Sequence, residues 1–271
     1  MTETPVTTTR ISPAPHIAVD HIGSGPLVLF LHGIGGNRTN WRGQLAVFGE
    51  RFTAVAWDAR GYGDSDDYDG ALHFADFSND LLRVLDYFGA EQAHLVGQSM
   101  GGRIALDFYG RHPQRVASLT LASTSVARRG EEKRLQDEEA LKVRQRPLTE
   151  EGKTPADIAP LLAKKLAGPT TPPDVFQRIV ESMAALRKDS YLKTLETVVR
   201  YESFPPFESI NVPCLVLTGE HDQLATPDTC RRMAAQLPNA QFVILPGVGH
   251  MSQMEAVGVF NEVVLRFLSK Q

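Results

Sequence analysis

Short, unbroken apolar runs punctuate the first half of the chain. Leu27–Leu31 (L-V-L-F-L), Ala54–Trp57, Ala93–Val96 and Val116–Ala122 have the length and composition of strands buried on both faces. Segments of helical spacing lie between them: one near Trp41–Phe48, another carrying Phe77, Leu81, Leu82, Leu85 and Phe88 with Gly89 as its stop, and a third over Met100–Tyr109. Strands alternating with helices predict a mostly parallel sheet with helices on both faces. His16–Ile22 predicts a short strand before the turn at 23–26. The first dozen residues, rich in Thr and Pro, predict a loose arm.

The pattern changes after Ser123. From about 126 to 204 there are helix signals and no convincing strand. Ile158, Leu161, Leu162 and Leu166 fall on one predicted helical face. Pro172 and Pro173 mark a helix start, and Val175, Phe176, Ile179, Val180 and Met183 follow at helical spacing. Tyr191, Leu192, Leu195, Val198 and Val199 form another amphipathic segment. Strands return at Cys214–Thr218 and Phe242–Leu245, and a helix around Phe260–Leu268 closes the chain. The predicted organisation is an α/β core in two parts, 1–125 and 205–271, with a helical insertion at 126–204 after strand six.

Composition narrows the function class. The chain has 271 residues, 42% hydrophobic and 22% charged, enough for one sizeable core. A net charge of −4 gives no global attraction to nucleic acid or to anionic membranes, so neither is expected as a partner. The basic cluster Arg128, Arg129, Lys133 and Arg134 is interleaved with Glu131, Glu132 and Asp137 and reads as a solvated helix face. With no basic-then-apolar leader and no apolar run long enough to span a bilayer, the expected location is cytoplasmic. Cys214 and Cys230 come with no CxxC or Cys/His cluster, so neither a disulfide nor a zinc site is expected. Asp64, Asp66, Asp67 and Asp69 are dense in acid, but the glycine and closing glutamate of a calcium loop are misplaced. No metal and no cofactor is expected, and no coiled-coil or repeat signal speaks to oligomeric state.

The chemistry centres on Leu95–Gly102, L-V-G-Q-S-M-G-G, a G-x-S-x-G pattern between a strand and a helix. Glycine at 97 and 101 relieves the crowding of so sharp a turn, and Ser99 is left at a helix N-terminus that favours negative charge. A serine hydroxyl needs a base, and the base needs a carboxylate to orient it. Among eight histidines, His250 lies in L-P-G-V-G-H, a glycine-rich loop directly after a strand. His32 reads instead as a loop-bracing residue. Asp222, just past a strand end in T-G-E-H-D, is the candidate acid, with Glu220 and Asp228 as rivals. The N–H groups of Ile34 and Met100 are the candidate oxyanion donors. Asp58 and Arg60 are expected to brace the loop beneath the site. Phe176, Met183 and Phe204 are candidates to contact substrate from the insertion.

The motifs H-G-I-G-G, D-A-R-G-Y-G-D-S-D, G-Q-S-M-G-G, G-E-H-D and P-G-V-G-H-M-S-Q-M-E resemble the α/β-hydrolase superfamily over everything but the N-terminal arm. Residues 126–204 resemble that family's helical cap. The S-M-G-G turn and short cap are similar to the 3-oxoadipate enol-lactonase type of lactone and ester hydrolases. This resemblance implies an α/β-hydrolase fold and a cofactor-free serine hydrolase of a small ester or lactone, with Ser99, Asp222 and His250 as its triad. Haloalkane dehalogenases carry aspartate where this chain has Ser99. Haloperoxidase-like members commonly carry an aromatic residue where this chain has Ile34. Carbon–carbon bond hydrolases usually carry Asn before the serine and Trp after the histidine, where Gln98 and Met251 stand here. Cleavage of a vinylogous diketone remains an alternative, as does a non-catalytic small-molecule receptor on the same fold.

Overall fold

Strand β3 (Leu27–Leu31) shows how the sheet is buried on both sides. Successive side chains of a strand point to opposite faces. Leu27, Leu29 and Leu31 accordingly pack in one cluster with Phe77, Leu81 and Ile104, while Val28 and Phe30 pack in another with Trp41, Leu45, Phe48 and Phe260. Phe30 lies 5.1 Å from both the Trp41 and the Phe48 ring, and each such fully buried side chain contributes roughly 1.5–3 kcal/mol. A continuous apolar run is what a strand with two covered faces requires.

The computed structural model describes residues 5–126 and 130–271. Eight strands form one sheet: β1 (Thr7–Ile11), β2 (Ile17–Ile22), β3, β4 (Thr53–Trp57), β5 (Ala93–Gln98), β6 (Val116–Ala122), β7 (Cys214–Gly219) and β8 (Ala240–Leu245). Their spatial order is β1-β2-β4-β3-β5-β6-β7-β8. From β4 and β3 through to β8 all neighbours run parallel, and only the β1–β2 and β2–β4 pairs are antiparallel. Helices α2 (Phe74–Tyr87), α3 (Met100–Arg111) and α8 (Pro227–Ala234) contribute to the first cluster, α1 (Arg42–Gly49) and α10 (Val257–Leu268) to the second. A single turn, α9 (Ser252–Glu255), follows the last strand.

Between β6 and β7 the chain leaves the sheet to form α4 (Glu131–Thr149), α5 (Pro155–Leu166), α6 (Pro173–Ala184) and α7 (Lys188–Arg200). Ala159, Ala163, Val175, Ile179 and Met183 pack together and onto Met251 and Met254 of the core. Leu141, Leu148, Ile158, Tyr191 and Leu195 make a second small cluster. Among the described residues no helix is long and apolar enough to cross a membrane.

The sequence pattern misleads at three places. Thr7–Ile11 is no loose arm but an edge strand paired to β2 in the register Thr9↔Val19, with the Thr8 hydroxyl donating to Asp20 at 2.7 Å. An edge strand with mostly exposed side chains carries no hydrophobic period to read. Leu161 is 61% exposed and does not share the buried face of α5, which Ala159 and Ala163 occupy with Ile158. Helix α8 is not anticipated, although Thr226 caps it by accepting from the Thr229 N–H at 3.3 Å and Pro227 opens it. Arg128 and Arg129 of the basic cluster lie outside the described residues, whereas Lys133 pairs with Asp137 at 2.9 Å on α4.

Candidate active site

In a parallel sheet all the strand-to-helix loops leave from one edge. That edge brings together the loops after β3, β5, β7 and β8, which carry residues 32–36, Ser99, Asp222 and His250. Ser99 sits between β5 and α3 with φ 53° and ψ −113°, a backbone region costly for a side-chain-bearing residue. A Cβ on Gly97 would lie 2.4 Å from the Gly101 backbone, and one on Gly101 would lie 2.1 Å from the Leu31 carbonyl oxygen. Two glycines are therefore the steric condition for the turn. Its N–H donates to the Ala122 carbonyl at 2.9 Å, which ties the turn to the neighbouring strand.

His250 and Asp222 meet across 28 residues of sequence, with Nδ1 2.9 Å and 3.0 Å from the two carboxylate oxygens. Both side chains are buried. Burial would push the Asp222 carboxyl up, but the His250 ring and the N–H groups of Ala225 and Leu224, each 2.9 Å from Oδ1, outweigh it and hold the carboxyl below its usual range. An ionised Asp222 accepts the Nδ1 proton and leaves the lone pair on Nε2, the form a general base needs. The rival acids are engaged elsewhere: Glu220 accepts from the Gly247 N–H at 2.9 Å, and Asp228 pairs with Arg231 at 2.6 Å on α8.

His32 is fully buried and uses both ring nitrogens within the loop. Its Nδ1 donates to the Gly33 carbonyl at 2.8 Å, and its Nε2 accepts from the Ala59 N–H at 3.0 Å. Burial holds it below the usual histidine value, with the Gly33 carbonyl and Asp58 partly opposing, so it is a neutral brace. Asp58 accepts from the N–H groups of Arg38 and Asp64 at 2.7 and 2.8 Å and fixes the backbone beneath this loop. Arg60 instead reaches α2, where it bonds Asp80 at 2.6 and 2.9 Å. Among the described residues neither the Ile34 nor the Met100 N–H has an acceptor within the chain.

Ser99, His250, Ile34 and Met100 line one cavity of about 250 Å³ between this sheet edge and the inserted helices. Of the three residues expected to contact substrate, Met183 lines it, packed against Gly35, where a Cβ would lie 2.5 Å from the methionine methyl. Phe176 does not: it packs in the α5–α6 cluster, two helical turns and on the order of 10 Å along α6 from Met183. Phe204 does not either, since its ring stands 4.7 Å from Tyr201 and 6.2 Å from Phe74 in the first core cluster. Sequence reasoning also misses contributors. Arg103, Arg144, Leu195 and Val199 line the cavity, and the Gln98 side chain donates to the His250 carbonyl at 3.0 Å. Gln98 stands inside the quoted motif, but no local signal indicates a partner 152 residues away.

Three of the four acidic residues at 64–69 have structural partners. Asp66 binds Arg10 and His16, Asp67 accepts from the Ser190 hydroxyl at 2.6 Å, and Asp64 pairs with Arg38 at 2.5 Å. Among the described residues no group of three or more His, Cys, Asp and Glu side chains could hold a metal ion. Cys214 and Cys230 are separate buried thiols, each pushed up to about 12 by burial.

Comparison with known proteins bears on the fold. The 3-oxoadipate enol-lactonase 2 of Acinetobacter baylyi is 24% identical over 88% of this chain and 87% of its own. A dihydrolipoyllysine-residue acetyltransferase component of the acetoin cleaving system of Pseudomonas putida is 30% identical over 92% of this chain, which spans 64% of that longer protein. The structure of a thermophilic esterase from Thermogutta terrifontis matches with a TM-score of 0.84 and 23% identity, covering 98% of each chain. The sequence model of the alpha/beta hydrolase fold matches residues 26–257, which take in six of the eight strands, β3 to β8, and the insertion, and the chain belongs to the alpha/beta-hydrolase family.

Proposed function

We propose that the protein is a serine hydrolase that cleaves a small carboxylic ester or lactone through an acyl-enzyme. The observation that carries this reading is His250, hydrogen-bonded to Asp222, lining the same cavity as a serine held at φ 53°. Ser99 Oγ attacks the substrate carbonyl as His250 Nε2 takes its proton. The charged imidazolium is stabilised by Asp222, and the tetrahedral oxyanion by the N–H groups of Ile34 and Met100 at the N-terminus of α3. His250 then gives the proton to the leaving oxygen, and the C–O bond breaks to leave acyl-Ser99. Water, deprotonated by His250, attacks the acyl carbon and releases the acid and the free serine. No metal or cofactor enters this sequence.

The inserted helices act as the cap that closes the cavity, with Met183 touching substrate. A volume near 250 Å³ suits a small molecule. The enol-lactonase and esterase names of the relatives support this class of substrate. The test is turnover of a panel of lactones and short p-nitrophenyl esters by the protein and by Ser99→Ala. Activity in the parent and loss of about a thousandfold or more in the variant, with unchanged circular dichroism, is the expected result. Full activity in Ser99→Ala would overturn the mechanism. Silence toward every ester, with bleaching of a ring-fission dienolate, would instead favour carbon–carbon bond hydrolysis. Binding of a small molecule without any turnover would favour the receptor alternative.

A further inference from the structure

We propose that the cavity above Ser99 selects substrates bearing a carboxylate and that Arg144 is the residue that recognises it, an inference that rests on the ester or lactone reading. Among the described residues lining the cavity are two arginines, Arg103 and Arg144, and no aspartate or glutamate. The chain as a whole carries a net charge of −4, so the charge of this lining is opposite to that of the molecule.

Arg144 is set apart from its neighbours on α4. Lys133, Arg134, Lys142 and Arg146 on that helix each have a carboxylate oxygen within 4.0 Å. Arg144 has none among the described residues. Its Nε donates to the Tyr191 hydroxyl at 3.3 Å, and its guanidinium carbon stands 5.9 Å from the centre of that ring. These contacts orient the side chain and leave the two terminal nitrogens without a protein partner among the described residues. Arg144 is a half-buried residue and shares the cavity lining with the apolar Leu195, Val198 and Val199. A half-buried cation without a counter-ion is costly, and a carboxylate is the anion whose geometry matches the guanidinium fork.

Arg103 enters the same cavity from α3, one turn beyond the nucleophile, with its own N–H donating to the Ser99 carbonyl at 3.3 Å. Its guanidinium is steadied by the Tyr201 carbonyl at 3.4 Å and the Phe204 ring at 5.3 Å. Ser123 lies on the lining as well, at φ 46° and with a buried hydroxyl that finds no partner among the described residues. The reacting carbonyl at Ser99 and the anionic end of the substrate at Arg144 thus occupy one small cavity, which sets the substrate as a short ester or lactone with a second, ionised carboxyl group.

The experiment compares pairs that differ in one charge. Monomethyl glutarate against methyl pentanoate places the carboxylate on the acyl side, and 3-acetoxybenzoate against phenyl acetate places it on the leaving group. The expected kcat/KM ratio favours the carboxylate by roughly ten- to a hundredfold in one of the two arms, the range of a charge-assisted hydrogen bond. Arg144→Gln brings that ratio close to one. Arg144→Lys keeps the charge but loses the fork, gives an intermediate ratio, and covers the case in which Arg144→Gln does not fold. Ser99-dependent turnover of the neutral esters with a ratio at or below one in both arms overturns the role of Arg144 and leaves the hydrolase reading standing, as does a ratio untouched by both variants. Where nothing is turned over, calorimetric titration of Ser99→Ala with all four compounds decides. Preferred, Arg144-dependent binding of a carboxylate compound supports the recognition site while the ester reading falls. Absence of any binding overturns both.

Discussion

The backbone N–H of His250 donates to the carbonyl oxygen of Leu166, 2.7 Å away, so the loop that carries the proposed base is bonded directly to the end of α5 in the insertion. Glu255 reinforces the joint. One carboxylate oxygen accepts from the N–H groups of Gly168 and Gly249 at 2.7 and 3.1 Å and from the Thr171 hydroxyl at 2.5 Å, and the other accepts from the Met251 N–H at 2.9 Å. The two backbones meet so closely that a Cβ on Gly249 would lie 2.4 Å from the Gly168 nitrogen.

Removing that carboxylate tests the joint. Glu255→Ala leaves three N–H groups without their acceptor, while the Thr171 hydroxyl keeps the Gly168 carbonyl at 2.9 Å, and the expected cost is about 2–4 kcal/mol of stability. Because two of those N–H groups flank His250, kcat is expected to fall about tenfold or more. Urea unfolding and steady-state kinetics check the two effects, and a stable variant with parent kcat would show that the His250 loop is positioned without Glu255.

The glycines around the site separate into two kinds. Gly101→Ala drives a Cβ to 2.1 Å from the rigid Leu31 carbonyl, whereas Gly35→Ala meets the mobile methyl of Met183 at 2.5 Å. The first is expected to lower stability by more than about 3 kcal/mol or to prevent folding. The second is expected to fold with a loss under about 1.5 kcal/mol and to reshape the cavity, read as a change in KM larger than the change in kcat. Equal thermal midpoints for the two variants would contradict the steric account.

Asp222→Asn keeps the size of the side chain and removes its charge. An amide offers an N–H to His250 Nδ1 and favours the tautomer that places the proton on Nε2, where the base must have its lone pair. The expected loss in kcat/KM is about 10³–10⁴. A loss below tenfold would mean that another group orients His250.

Two buried histidines make stability depend on pH. Burial holds His32 and His94 below the usual imidazole value, with the Gly33 carbonyl and Asp58 partly opposing it at His32. The unfolded chain therefore takes up these protons first as pH falls. Stability is at its full value above about pH 6.5 and declines as pH drops through the folded-state values, by up to about 1.4 kcal/mol per pH unit for each histidine. Asp222, held low, adds its own loss only in a more acid window, below about pH 3.9. Urea unfolding at pH 8, 7, 6 and 5 measures the first slope, and His94→Gln should reduce it by one histidine's share. A stability that does not change between pH 7 and 5 would refute this.

What could be read without coordinates is what depends on near neighbours in the chain. The five-residue apolar run of β3, the helical spacing of Val175, Ile179 and Met183, and the glycines on either side of Ser99 express periods and clashes set by local backbone geometry. The same reasoning finds no edge strand in Thr7–Ile11, because a strand with solvent on most of its side chains has no apolar period. It also places Phe176 at the substrate, because helical phase says which side of a helix a residue is on and nothing of how far along the axis a cavity extends.

Everything that makes a site of these residues depends on packing between distant elements. His250 meets Asp222 across 28 residues, Arg144 meets Tyr191 across 47, and Glu255 meets Gly168 across 87. Glu255 and Arg144 look like ordinary surface charges in the sequence, one near the end of a motif and one in a charged helix. Burial and the partners a charge is given or denied are properties of the folded neighbourhood, so the helices and the sharp turn are inherent in the local chain, while the cavity, its charge and its joint to the insertion exist only once the sheet and the four inserted helices have closed on one another.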